Sequence, residues 1–236
     1  MKIKLILILI FQFIFLNSVV NPDEIEIISD NIKILENGKI IESIQTNAII
    51  KKKGLYIEGD YSVYNKEKKI IEFEKNVFFK DRIKNITIET EKAKYNQKSD
   101  ILETIGITNI KIENKYEIIS SNLFYDRESK KIYSKKEAII KDISGNIYNL
   151  ENSFQLDLVK EVISTKKTNI IDTDNNIYSF ENAKINLISK EILGKELKID
   201  FVDNYFGIPD NDPILKGRSA ISNNEKTKIY KTVFST

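Results

Sequence analysis

An apolar pair, four intervening residues and a second apolar pair recur along this chain with a period of 30 to 31 residues. No other feature constrains the fold as strongly. The copies are Ile25, Ile27, Ile32, Ile34; then Leu55, Ile57, Ser62, Tyr64; then Ile86, Ile88, Ala93, Tyr95; then Tyr116, Ile118, Leu123, Tyr125. Phe154 with Leu156 follows, and then Tyr178, Phe180, Ile185, Leu187, so the last members fall at 34, 64, 95, 125, 156 and 187. A period between about 20 and 50 residues marks a stacked array, in which each unit buries its apolar face only against its neighbours.

The units are predicted to be strands, because apolar positions alternate with a period of two and are rich in Ile, Tyr and Phe. Polar turns follow the last member of a copy, as in Asn65-Lys66-Glu67-Lys68, Asn96-Gln97-Lys98-Ser99 and Asp126-Arg127-Glu128-Ser129. Glu36-Asn37-Gly38-Lys39 fills that place in the first copy, and Asn-Gly accepts the positive φ of a tight hairpin. Further turns are expected at Ser144-Gly145-Asn146 and Asp174-Asn175-Asn176. Proline is absent from 23 to 208, as suits interior strands that need every N–H.

Within a copy the two pairs are offset by five residues, an odd number, so a flat strand would aim them at opposite faces. A bulge or corner must intervene for both to face one interior. Each strand is therefore expected to run along one wall, turn a corner and continue along a second wall. At roughly 4.8 Å per strand, six two-strand repeats make a trough about 55–60 Å tall. The fourth copy departs by one residue, with Tyr148 and Leu150 where Ile147 and Asn149 are expected. The domain assignment is a repeat body over 21–203 followed by a Pro/Gly break and terminal strands over 204–236. The break is Phe206-Gly207-Ile208-Pro209-Asp210-Asn211-Asp212-Pro213, and a last pair of strands, Ser219 to Ser222 and Lys228 to Phe234, is expected around Asn223-Asn224-Glu225.

Residues 1–20 have the form of an export signal: Lys2 and Lys4 precede an apolar run from Leu5 to Leu16 broken only by Gln12. That run is shorter than the ~20 residues a membrane-spanning helix needs. Cleavage is expected after Ser18 or Val20. Without the signal the chain carries 35 basic and 35 acidic residues, which gives no electrostatic reason for a nucleic-acid partner. The run Lys51-Lys52-Lys53 reads as a solvated turn or edge, with a contact to anionic groups as the alternative.

With no His and no Cys, the chain can build neither Ser-His or Cys-His nucleophiles nor His- or Cys-based zinc sites. It has no disulfide and no glycine-rich phosphate loop. Asp203, Asp210 and Asp212 form the richest acidic cluster but lack calcium-loop spacing, and Glu89 with Glu91 reads as a solvated face rather than a glycosidase pair. No catalytic residue, metal or cofactor is assigned. The aromatic markers fit either a filled core or a groove open to an apolar ligand, and residue pattern alone does not choose.

The bent-strand repeats, the export signal and the segment from Phe206 through Pro213-Ile214-Leu215-Lys216-Gly217-Arg218 to Ser219 resemble the lipopolysaccharide-transport proteins that share the OstA-like domain. The likeness is greatest to the N-terminal periplasmic part of the family's outer-membrane assembly members. There a similar Pro-x-Leu-Lys-Gly stretch, an Asn-Asn turn and a strand resembling Val233-Phe234-Ser235-Thr236 lead toward a membrane barrel. The barrel and the cysteines expected around it do not follow here, which implies either a fragment or a domain that works alone. The resemblance implies an all-β fold, an elongated, twisted, V-shaped β-jellyroll, located in the periplasm and associated with the outer membrane. Its interior would shield the lipid A acyl chains of lipopolysaccharide, with Ile32, Ile34, Tyr64, Tyr95, Leu123, Tyr125, Phe154, Leu156, Ile185 and Leu187 as groove candidates. Edge strands would dock other jellyrolls of an export bridge, the N-terminal edge at Ile25 and Ile27, with an outer-membrane barrel as a further partner.

Overall fold

The computed structural model describes residues 24–113, 115–202, 214–222 and 227–235. The expected export signal, the expected Pro/Gly break with Asp203, Asp210 and Asp212, and the expected turn at Asn223-Asn224-Glu225 lie outside the described residues. Six long strands open the fold: β1 (Glu26–Leu35), β2 (Ile40–Ile50), β3 (Leu55–Asn65), β4 (Ile70–Asp81), β5 (Ile86–Asn96) and β6 (Ile101–Ile112). Four short ones follow: β7 (Tyr116–Ser121), β8 (Leu123–Asp126), β9 (Lys131–Ser134) and β10 (Ala138–Asp142). Next come β11 (Ile147–Asp157), β12 (Val162–Ile171), β13 (Ile177–Phe180), β14 (Asn182–Asn186), β15 (Ile192–Asp200), β16 (Ile214–Ser222) and β17 (Thr227–Ser235). All 17 belong to one antiparallel sheet, and the only helical turns among the described residues are two of three residues each, Glu36–Gly38 and Lys51–Lys53. At the first, Asn37 (φ 54°) and Gly38 (φ 88°) take the left-handed conformation their sequence predicts.

The expected corner is present in nearly every strand. Pairing lapses at Asp30 against Gln45, at Gly59–Asp60 against Lys75–Asn76, and at Glu91 beside Gly106, half a repeat apart each time. Several corner residues are left-handed, among them Gln45 (φ 51°), Lys75 (φ 63°), Gly106 (φ 88°), Asn152 (φ 72°) and Glu196 (φ 51°). One residue out of register reverses the alternation, so the apolar set stays on the inner side of both walls. β7 and β8 are the halves of one bent strand parted by Asn122, and β9 and β10 are parted by residues 135–137. Hence the pairings β6–β7–β10–β11–β9–β8–β6 close a ring of six around the crease.

The result is a jellyroll-like trough. Wall A lies between the crease and the turns at 51–54, 82–85, 113–115 and 143–146. Wall B lies between the crease and the turns at 36–39, 66–69, 97–100, 127–130, 158–161 and 188–191. Each wall carries an unbroken rib of facing residues. On wall A the rib runs Ile27, Ala48, Ile57, Phe79, Ile88, Ile110, Ile118, Ile140, Tyr148, Ile170, Tyr178, Ile199, Leu215, Phe234. On wall B it runs Ile34, Ile41, Tyr64, Ile71, Tyr95, Leu102, Tyr125, Ile132, Leu156, Ile163, Ile185, Ile192. Tyr148 and its neighbour Leu150 are buried, as the one-residue shift in the fourth copy requires. β16 pairs with β15 and β17 with β16, so the terminal strands extend the same sheet beyond the break.

At the crease the broken ladder frees backbone groups, and short hydroxyl side chains take them up. Ser120 donates to the Glu137 carbonyl (2.7 Å), Ser134 to that of Ser121 (2.9 Å) and Thr165 to that of Ser153 (3.0 Å). Near the narrow vertex the inner residues must also be small. Gly194 lies under the Phe180 ring, where a Cβ would fall 2.1 Å from Cδ1.

Candidate functional site: the clasped mouth of the trough

The open side of the trough, where the turns of the two walls face each other, carries the most buried ion pairs among the described residues. Arg127, in a wall B turn, donates from Nε to Asp81 Oδ2 of wall A (2.7 Å). Its Nη1 spans both Asp100 oxygens (2.9 and 2.8 Å) and its Nη2 reaches the Lys53 carbonyl (2.9 Å). Asp81 is fully buried, and the Arg127 side chain is 7% exposed. Lys53 of wall A donates to Asp100 (3.3 Å) and to the Gln97 carbonyl (3.1 Å) of wall B. Farther along, Lys115 of wall A donates to Glu161 of wall B (3.1 Å), and Lys190 of wall B donates to Asp142 of wall A (2.6 Å).

These four clasps follow a rule. In each, a wall A turn meets a wall B turn about one and a half repeats later in the chain, as Asp81 does Arg127 and Lys115 does Glu161. The sign alternates as well: wall A presents Lys53, Asp81, Lys115 and Asp142 in order, and wall B answers with Asp100, Arg127, Glu161 and Lys190.

Each clasp also holds a tyrosine whose ring lies in the apolar interior. Tyr125 donates to Asp81 (2.9 Å), Tyr148 to Asp142 (3.0 Å), Tyr95 to Asp100 and Tyr116 to Glu161. The phenol suits this boundary because its body is apolar and its tip needs a polar partner. Phe79 of wall A meets the Tyr125 ring edge-on, with centroids 6.1 Å apart. Burial and neighbouring carboxylates push all four phenols well above their ordinary pKa, so they remain donors. Burial alone would raise the Asp100 carboxyl, but the Tyr95 hydroxyl and the Arg127 guanidinium outweigh it and hold the group below the usual carboxylate range. Asp142 is held low in the same way by Asn146, Lys190 and Tyr148, and Glu161 by Tyr116 and Lys115. Each of these carboxylates is held by a cation from the opposite wall and by a phenol, which is the chemistry of a fastener.

The groove candidates divide. Tyr95, Leu123, Tyr125, Phe154, Leu156, Ile185 and Leu187 are buried on the inner faces, and Tyr64 is half-buried against them. Ile32 and Ile34, the groove candidates of the first copy, are 46% and 65% exposed. They point inward, since their strand partners are Ser43 and Ile41, but wall B overhangs there. The first wall B turn clasped by wall A is that at 97–100, so among the described residues no wall A rib stands over the start of wall B. The opposite end has the converse overhang, with Phe234 of wall A 56% exposed. Ile25 and Ile27 are half-buried at the N-terminal edge, where among the described residues β1 pairs only with β2. Glu89 and Glu91 are exposed on the outside.

Sequence reasoning missed the clasp residues. Lys51-Lys52-Lys53 is a turn, but not wholly a solvated one: Lys51 pairs with Glu26 (2.7 Å) while Lys53 enters the first clasp. The findable signal was the alternation of sign from one wall A turn to the next. Among the described residues no group of three or more acidic side chains is placed to hold a metal ion. No protein-family model matches the chain, and no curated protein matches it.

Proposed function

We propose that the chain is a non-catalytic lipid-binding array of the lipopolysaccharide-transport kind, acting in the periplasm next to the outer membrane. The observation that carries this reading is the pair of apolar ribs, one along each wall, that run unbroken across most of the sheet and are bounded at the mouth by phenols and ion pairs. Such a cross-section matches an amphiphile whose tails need cover and whose head needs water. Each buried methylene contributes about 0.8 kcal/mol, so one 12-carbon chain supplies roughly 9–10 kcal/mol toward parting the walls. The outer edges of β1 and β17, unpaired among the described residues, would take up the strands of neighbouring jellyrolls, with an outer-membrane barrel as a further partner.

A second reading, an exported structural or adhesive array with a permanently filled core, is favoured by the complete burial of Tyr95, Leu123 and Tyr125. One experiment decides. A photo-crosslinking residue at Tyr125 or Leu156 should capture lipopolysaccharide in the presence of a donor protein, while one at exposed Glu128 should not. Capture at neither interior position leaves the filled-core reading standing.

A further inference from the structure

Between the second and third clasps the mouth is not sealed. A cavity of about 260 Å³ lies there, lined from both walls by Ile83, Ile86, Ile112, Leu156, Leu158 and Val159. Ile86, Ile112 and Leu156 belong to the buried core, so the cavity joins the apolar interior to the surface. Ile83 and Val159 are each 63% exposed at turn tips, where polar residues are the rule. Both tips are held by the same device: Asp81 Oδ1 accepts the N–H groups of Ile83 and Lys84, and Asp157 Oδ1 those of Val159 and Lys160. Two apolar lips thus stand at fixed positions on opposite walls.

The rim is cationic. Lys84, Lys115 and Lys130 line the cavity with Glu113 and Glu161. Both glutamates pair with Lys115, whereas among the described residues neither Lys84 nor Lys130 has a carboxylate within ion-pair distance. We propose that this gap is the loading point of the trough, where the tail of an anionic amphiphile enters between Ile83 and Val159 while its headgroup rests on Lys84 and Lys130. The inference rests on the lipid-binding reading above and adds to it a place and a sign of charge. The volume is below the ~300–1,000 Å³ of pockets that enclose a whole drug-sized ligand, so the cavity admits the leading part of one chain and leaves the head outside.

The test is calorimetric titration of the mature chain with dodecyl phosphate and with neutral dodecyl maltoside, each below its micelle concentration. Lys84→Glu combined with Lys130→Glu should weaken dodecyl phosphate about five-fold or more and change dodecyl maltoside by less than about two-fold. Val159→Asp, at an exposed tip, should weaken both. Unchanged dodecyl phosphate binding in the double lysine variant, or an equal loss for both amphiphiles, overturns the loading point. If lipopolysaccharide crosslinking at Tyr125 persists in that case, only the loading point is lost. If the wild-type chain binds neither amphiphile and crosslinks at neither interior position, the lipid-binding reading goes with it.

Discussion

Arg127→Met tests whether the clasps hold the two walls together. The substitution removes four charge-assisted bonds, one to Asp81, two to Asp100 and one to the Lys53 carbonyl. Asp100 keeps Lys53 and the Tyr95 hydroxyl, but Asp81, fully buried, is left with neutral donors only. Breaking a buried pair from one side costs about 3–5 kcal/mol, chiefly through the charge left uncompensated. For a chain of this size each kcal/mol lowers Tm by roughly 2–4 °C, so the melt should fall by about 6–20 °C. The comparison is Lys33→Ala, which removes an exposed pair with Glu42 and should cost no more than about 1 kcal/mol. Adding Asp81→Asn to Arg127→Met should recover part of the loss, because the stranded charge disappears. Urea denaturation followed by circular dichroism measures all four proteins. An Arg127→Met cost no larger than that of Lys33→Ala, or a double variant no better than the single, would refute the clasp as a source of stability.

Other outcomes follow from single features. Asp100, Asp142 and Glu161 have depressed folded values, so their contribution is complete above about pH 5 and is lost as pH falls through the unfolded and then the folded values. Melts between neutral and acid pH should show that loss, and Asp142→Asn should flatten it. Gly194→Val should destabilise by about 1–3 kcal/mol or more, and Phe180→Leu should partly restore it, because the added Cβ meets the Phe180 ring. Thr168→Val should be neutral or stabilising by up to about 1 kcal/mol in the same melts, since Thr168 Oγ1 is buried without a hydrogen-bond partner among the described residues. Successive N–H groups of an edge strand point to opposite sides, so of Glu26→Pro and Ile27→Pro one should unsettle the β1–β2 pairing. The other should leave the fold intact and weaken docking of a neighbouring array, as measured by co-purification.

The walls and their corner were legible because both leave one-dimensional traces: a period of two for the strand, and an odd offset between apolar pairs for the bend. Tyr95, Tyr125 and Leu156 are therefore buried where the repeat places them. The clasps were not legible. Periodicity reports which side of its own strand a residue occupies, but not which level of one wall faces which level of the other. That offset comes from the tilt and twist of the strands across the crease. Arg127 accordingly read as one polar turn residue among several, although it is the most deeply buried of the clasp cations. The exposure of Ile32 and Ile34 has the same origin, since sequence marked them as inward-facing and only the offset leaves them uncovered.

The offset also determines what kind of joint the array can make. An array cut square would meet its neighbour along one strand pair and could swing about that line as on a hinge. This one is cut obliquely, with the inner face of wall B projecting at one end and that of wall A at the other. A neighbour sharing the same obliquity would cover Ile32 and Ile34, or be covered by Phe234, over more than a full repeat. If arrays dock end to end as proposed, the seam would be a scarf rather than a butt joint: it would resist bending, carry the apolar face across the junction, and reject a partner whose walls are offset by a different amount.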